Sequence, residues 1–267
     1  MIALFTDFGT RDAYVAQLKG AILSIHPTAQ LVDLTHEVGV YDIRAAAYLL
    51  DAAARYFPAG TIFVAVVDPG VGTARRPLLL ATQADKWYVG PDNGLFTRVI
   101  EREQLKAAYV LTQSAYFRRQ VSTTFHGRDL FGPVAAHLAR GIEPAQFGPR
   151  LESVVQLPYT QPQREGETIT GAVIHLDHFG NIVTNIPSTM LTDFVLGQEV
   201  VCTLAAHIQV LSFVETYGAG PPDHLVCLIN SNGEFEIALP RGAASAHLSV
   251  KVGDRVVLRQ ADSPAGA

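Results

Sequence analysis

Ile2-Ala3-Leu4-Phe5, Leu31-Val32-Asp33-Leu34 and Ile62-Phe63-Val64-Ala65-Val66-Val67 are apolar runs with almost no alternation. A strand with one face in water alternates apolar and polar residues, so unbroken runs of this length predict buried strands, covered on both faces. Between them, Leu18, Ile22 and Ile25 recur at helical spacing. Ile43, Ala46, Ala47 and Leu50 do the same, ahead of a stop at Phe57-Pro58-Ala59-Gly60. A third helix is predicted from near Arg128, carrying Val134, Leu138 and Ala139 up to Gly141. Strand–helix–strand order with short connections predicts an α/β N-terminal domain with a largely parallel sheet.

Near Pro149 the pattern changes. Pro149, Pro158 and Pro162, with the polar run from Gln161 to Glu167, read as a linker reaching Thr168. Short β-type segments follow: Ile169–Leu176, Val200–Leu204, Ile208–Phe213, Leu225–Ile229, Phe235–Leu239 and Val256–Leu258. Gly, Pro, Asn and Asp separate them, and no helix is expected among them. The prediction is a smaller all-β C-terminal domain, barrel or sandwich, over residues 168–260, behind an α/β domain over residues 1–160. The Pro264-Ala265-Gly266-Ala267 tail is expected to fray.

With 48% hydrophobic and 17% charged residues in 267, the chain can bury a sizeable core and is not a disordered polymer. Its 20 basic residues stand against 25 acidic ones, leaving no surplus for a polyphosphate backbone, so nucleic acid is not an expected partner. Cys202 and Cys227 are too few for a disulfide framework and read as buried free thiols. Met1 leads into an apolar strand that meets Asp7 without a basic leader, and no later segment has the apolar length of a bilayer span. A soluble, cytoplasmic protein with no membrane partner is expected.

Open α/β sheets bind ligands outside the carboxyl ends of their strands. Here those ends carry Thr6-Asp7-Phe8-Gly9-Thr10-Arg11-Asp12, Asp33-Leu34-Thr35-His36-Glu37, Asp68-Pro69-Gly70-Val71-Gly72-Thr73-Ala74-Arg75-Arg76, Gly90-Pro91-Asp92-Asn93-Gly94 and Thr124-Phe125-His126-Gly127-Arg128-Asp129. Each alone is a plain turn, since Asp, Gly, Pro and Asn are turn formers. Together they bring acids, arginines and histidines to successive strand ends. Gly70-Val71-Gly72 follows the third strand and has Arg75 in place of a third glycine, and no Walker A string is present, so a dinucleotide or P-loop reading has no support. A metallohydrolase could use Asp7, Asp12, His36, Asp68 and His126 as ligands. Against it, H-x-H and H-E-x-x-H spacings are absent, and Arg75, Arg76 and Arg128 would repel a divalent cation. The third option is acid–base chemistry on a small organic substrate by an Asp–Arg–His group.

Five strings carry a resemblance. Thr6-Asp7-Phe8-Gly9 with Asp12, Val67-Asp68-Pro69-Gly70-Val71-Gly72 with Arg75, Gly90-Pro91-Asp92-Asn93-Gly94, Phe125-His126-Gly127-Arg128-Asp129, and Asp177-His178-Phe179-Gly180-Asn181 with Thr184-Asn185 occur in this order. With them the chain resembles the S-adenosyl-L-methionine hydroxide adenosyltransferases, hydrolytic relatives of the bacterial fluorinase and chlorinase, from Met1 to its last strand. The resemblance implies the same two domains and a homotrimer, with sites between the N-terminal domain of one subunit and the C-terminal domain of the next. It implies in-line attack of water or hydroxide on the ribose 5′ carbon of S-adenosyl-L-methionine, releasing methionine and adenosine, with no cofactor.

The same resemblance implies roles residue by residue. Asp68, Arg75 and His126 hold the water: Arg75 favours its hydroxide form, while Asp68 and His126 orient it and share its proton. Asp7 matches the acid that accepts both ribose hydroxyls, and Tyr41 a ring lying over sugar and sulfonium. Phe125, in the His126 motif, is counted among the substrate contacts, and Asp12 lies toward the amino-acid end. Asp177 matches an acid meeting the methionine ammonium, and Ser231 a hydroxyl near its carboxylate. Phe179 and Asn181 embrace the nucleoside, with Asn181 able to read an adenine edge.

Departures from the fluorinase point to hydrolysis. It has tyrosines at the positions of Asp68 and His126 and a serine at that of Gly127, and an aspartate would repel a halide. Halide-binding relatives carry a long insertion where only Gln83-Ala84-Asp85 separates two strands here. Asn232 stands where the fluorinase has an arginine near the carboxylate. The alternatives are a nucleoside-binding module without turnover, which would share every binding residue but not need Asp68, Arg75 and His126, and a halogenase.

Overall fold

The computed structural model describes residues 1–205, 207–221 and 223–261, so the tail from Pro264 lies outside the described residues. Two compact units divide the chain, Met1–Pro158 and Tyr159–Ala267.

The first unit runs β1 (Ile2–Thr6), α1 (Tyr14–Ile25), β2 (Leu31–Thr35), α2 (Ile43–Ala54), β3 (Ile62–Val66), β4 (Pro77–Thr82), β5 (Trp87–Pro91), α3 (Thr97–Glu103), β6 (Leu105–Val110) and α4 (Gly132–Ala139). Its sheet has the order β2-β1-β3-β5-β4-β6, with β4 alone running against the rest. The expected α/β domain with a largely parallel sheet is what forms. Alternate residues of one strand serve two cores. Ile2, Leu4, Ile62, Val64 and Val66 pack with Leu18, Ile22 and Val134 of α1 and α4, while Ala3, Phe5, Phe63 and Ala65 pack with Ala46, Leu50 and Val99 of α2 and α3. Helices on both faces are why β1 and β3 carry no polar alternation. β2 departs from the expected burial, because it is an edge strand: its residues are only partly covered and Asp33 is exposed.

The third predicted helix starts with a π-type turn, Gly127–Phe131, before α4. The short α3 has no counterpart in the sequence reading, since seven residues give too few periods to register. The linker is less free than its prolines suggest. Val155 N–H donates to Asp92 Oδ1 at 2.8 Å and Leu157 N–H to Thr97 Oγ1 at 2.9 Å, so its backbone is pinned along the first unit.

The second unit contains β7 (Gln163–Glu165), β8 (Thr168–Leu176), β9 (Ile182–Pro187), β10 (Glu199–Leu204), β11 (His207–Phe213), β12 (Val226–Ile229), β13 (Glu234–Ala238), α5 (Ala244–Leu248) and β14 (Arg255–Gln260). Seven of its eight strands close into a barrel through the β14–β8 pairing, and β7 lies along the start of β8. The predicted all-β domain is thus a barrel. Two elements correct the sequence reading. β9 lies between Asn181 and Ser188, where no strand was expected, and α5 is a short helix whose Ala244 and Leu248 join the barrel core. Cys202 and Cys227 are buried free thiols, as expected; burial pushes Cys202 up to about 12.

Candidate active site

The loops after β1, β2, β3 and β6 converge on a cavity of about 530 Å³ lined by Asp7, Phe8, Tyr41, Asp68, Phe125 and His126, with Tyr14 and Gln17 from α1. This is the carboxyl edge of the parallel strands, where loops from neighbouring strands must meet.

Asp68 follows β3 and is buried, with its carboxylate forked by Arg75: Nε donates to Oδ1 at 3.1 Å, and Nη2 donates to Oδ2. The same Nη2 lies 3.1 Å from His126 Nδ1. A guanidinium only donates, so Nδ1 is the accepting nitrogen and the ring proton sits on Nε2. Burial and the Arg75 charge hold His126 below the ordinary histidine value, against the opposing pull of Asp68 and Asp129. The imidazole is therefore neutral at neutral pH. Arg75 has a side chain only 7% exposed and packs over the Phe131 ring at 5.4 Å, outside the cavity lining. Its Nη1 is buried without a hydrogen-bond partner among the described residues.

Two devices hold this group. Gly72, with φ of 76°, passes so close to the loop bearing His126 that an added Cβ would stand 2.4 Å from Thr123 O. Asp129 is wholly buried and takes hydrogen bonds from Ser122 N at 2.8 Å and Arg128 Nε at 2.6 Å, with Arg118 nearby. Buried behind three donors, it anchors the stretch from Ser122 to His126, and these partners outweigh burial to lower its pKa.

Asp7 extends from β1 and is partly buried; its Oδ2 accepts the Tyr41 N–H at 3.0 Å. Burial raises its pKa and the Asp68 charge adds to this, while hydrogen bonds from the Tyr41 and Asp7 backbones oppose it. Tyr41 is exposed, with a left-handed φ of 64°, just before Asp42 caps α2 by accepting from Ala45 N at 2.9 Å. Phe125 stands edge-to-face with Phe8 at 5.5 Å and Tyr14 at 5.4 Å, which gives this wall an aromatic face. Asp12 is exposed in the loop before α1 and outside the lining. The Gly90–Gly94 loop also stays out of the lining. Its Asn93 Nδ2 donates to Val67 O at 2.9 Å and its Asp92 takes Arg76 Nε at 2.8 Å, so it buttresses the loop after β3.

In the second unit a cavity of about 580 Å³ is lined by Asp177, Phe179, Asn181, Tyr217, Arg241 and Ala243, with neighbours. Asp177 closes its own turn: Oδ1 accepts from Phe179 N at 2.9 Å and Asn181 N at 2.7 Å, and Oδ2 from Asn181 Nδ2 at 2.9 Å. Phe179 is 75% exposed, whereas Asn181 is buried. Gly180, with φ of 83°, lies against Ala243, where a Cβ would meet another at 2.5 Å. Ser231 is exposed in the β12–β13 turn, before the start of β13, and is not among the residues lining this cavity. Tyr217 and Arg241 escaped the sequence reading, because each is a single residue in an unremarked turn. Tyr217 donates its hydroxyl to the buried Glu236 at 2.8 Å. Among the described residues no three His, Cys, Asp or Glu side chains gather as metal ligands.

Comparison with known proteins matches both units to one family. The family model for the SAM hydroxide adenosyltransferase N-terminal domain matches residues 2–148, and that for the C-terminal domain residues 171–257. The chain is 38% identical over 258 residues to an (R)-S-adenosyl-L-methionine hydrolase of Salinispora tropica, covering 96% of each chain. It is 30% identical over 292 residues to a fluorinase of Actinoplanes sp., covering 98% of each. A solved structure of an uncharacterized conserved protein from Thermotoga maritima superposes with a TM-score of 0.94 at 36% identity, over 97% of this chain and 100% of that one.

Proposed function

Because the chain belongs to the SAM hydroxide adenosyltransferase family, we propose that it is a hydrolase that converts S-adenosyl-L-methionine to adenosine and L-methionine. The observation carrying this reading is the Asp68–Arg75–His126 group beside a cavity that also holds Asp7. In the proposed step a water oxygen attacks the ribose 5′ carbon opposite sulfur. The carbon–oxygen bond forms as the carbon–sulfur bond breaks, and the electron pair stays on sulfur, which leaves as the neutral thioether of methionine. No acid is needed for such a leaving group. The water must lose a proton, and Asp68 is the acceptor, since His126 has Nδ1 engaged by Arg75 and its proton on Nε2. His126 then orients the water by donating, and the Arg75 charge behind both favours hydroxide. Joining an anion to a sulfonium destroys charge, so the aromatic, partly buried wall of Phe8, Tyr14 and Phe125 assists by excluding water.

Asp7 takes the ribose hydroxyls, Tyr41 lies over the sugar and sulfonium, Phe125 lines the pocket, and Asp12 lies toward the amino-acid end. Asp177 and Ser231 serve the amino acid, and Phe179 and Asn181 the nucleoside. The proposed enzyme works in the cytoplasm as a homotrimer, with the two sets of residues joined from neighbouring subunits. No helix among the described residues is long and apolar enough to cross a membrane. The step calls for no cofactor, so adenosine release should survive exhaustive chelation; its loss, restored by one divalent ion, would revive a metallohydrolase. The direct test is turnover in heavy-oxygen water. The label is expected on the 5′ hydroxyl of adenosine, and no 5′-halo nucleoside should form with chloride or fluoride present. No adenosine at all, with tight nucleoside binding, would make the protein a binding module.

A further inference from the structure

Thr6, His36 and Asp33 form a hydrogen-bonded chain beside the cavity, and none of them lines it. Thr6 Oγ1 lies 2.8 Å from His36 Nδ1, and His36 Nε2 lies 3.0 Å from Asp33 Oδ1. Asp33 Oδ2 in turn accepts from Lys19 Nζ on α1 at 2.6 Å. Thr6 is completely buried and His36 is 5% exposed, so water cannot replace either partner. The proton positions follow from Asp33. Its carboxylate only accepts, so Nε2 of His36 carries the hydrogen, and Nδ1 of the neutral ring accepts the Thr6 hydroxyl, whose oxygen also accepts from Phe8 N at 3.2 Å.

Residues three apart on a regular strand point to opposite faces. Here the β1–β2 register slips, with Leu4 opposite Asp33 but Phe5 opposite Thr35, and this bulge accompanies the meeting of Asp33 and His36. The ring of His36 thereby ties two loops together. Phe8 N is bonded to Thr6, Gly9 N donates to His36 O at 2.7 Å, and Tyr41, further along the loop from His36, donates its N–H to Asp7.

We propose that His36, with Thr6 and Asp33, is a positioning residue that sets the Asp7 carboxylate and the Tyr41 ring in register for the nucleoside. The proposal rests on the functional reading above. His36 acts through Asp7 and Tyr41, which bind in the ground state, so its loss changes substrate affinity while the Asp68–Arg75–His126 group still sets the rate of the chemical step.

The test measures adenosine binding by calorimetry and steady-state hydrolysis on the full chain. His36→Leu and Thr6→Val are each expected to weaken adenosine binding and raise KM about tenfold with kcat held within about twofold. The double variant should be no worse than either alone, because one chain is broken once. His36→Gln, whose amide can accept from Thr6 and donate to Asp33, should restore most of the affinity. If His36→Leu does not fold, Thr6→Val carries the same test. Wild-type affinity in Thr6→Val, additive losses in the double variant, or a fall in kcat at constant KM overturns the positioning role. A wild-type protein that binds no adenosine overturns the functional reading instead.

Discussion

His126 sits between two opposite charges, and its neutral state depends on which one it faces. Nδ1 faces Arg75, so a proton arriving there must displace the guanidinium. A histidine whose folded pKa is lowered contributes stability that is present above its ordinary value of 6.5 and is lost as the pH falls through the folded value. Activity should follow the same sign. kcat/KM is expected to decline on the acid side below 6.5, with an apparent pKa lower than that of a free histidine, and a pH–rate profile checks it. In His126→Gln the residual rate should lose that limb. Asp68→Ala, Arg75→Ala and His126→Ala should keep adenosine affinity while slowing release by roughly two to four orders of magnitude, read by kcat beside calorimetry. Asp7→Ala should instead raise KM, because the role proposed for it, accepting the ribose hydroxyls, is exercised in the ground state as well. Asp68→Ala turning over at the wild-type rate would remove the assignment.

At the scale of elements, close approach of backbones positions the site more than any helix does. Gly72→Ala would force a left-handed residue with a Cβ against Thr123 O, so the loops bearing Asp68 and His126 must part. A loss of about 1–3 kcal/mol in denaturant unfolding is expected, together with a lower kcat. The far end of the sheet holds a different kind of element contact. Glu103, with a side chain 1% exposed, binds Lys86 Nζ at 3.2 Å, Tyr88 OH at 2.9 Å and Thr82 Oγ1 at 2.8 Å. Burial would raise its pKa, but these partners outweigh it and lower the value. Glu103→Ala leaves the buried Lys86 without its carboxylate and should cost about 3–5 kcal/mol, measured by the same unfolding titration. Apolar pattern made β1, β3, α1 and α2 legible, the strands as unbroken apolar runs and the helices through apolar residues recurring at helical spacing. The bulge in β2, the π-type turn before α4 and the five-residue α5 depend on local hydrogen bonds and on what packs over them, and periodicity does not report those.

The whole molecule carries its candidate residues in two separate units, each with its own cavity. If neighbouring subunits join them, Asp68→Ala and Asn181→Ala chains, each inactive alone, should complement when refolded together. Random mixing in a closed ring leaves roughly a quarter of the sites with both halves intact. Light scattering should find a trimer; an active monomer, or no recovery on mixing, would contradict the shared site. The sequence by itself determined that the first part is a sheet with both faces covered, since unbroken apolar runs record how many faces meet water, and that the second part is an all-β domain, with barrel and sandwich both open until the β14–β8 pairing closed it. It also determined which residues stand at the strand ends, because strand direction and loop position follow from order along the chain. Only the tertiary structure decided that Arg75 stands behind Asp68 and His126, and that Thr6, His36 and Asp33 connect. Those are distances between side chains far apart in sequence or thrown together by a bulge. They are set by how loops pack once the strands are in register, and no local pattern encodes them.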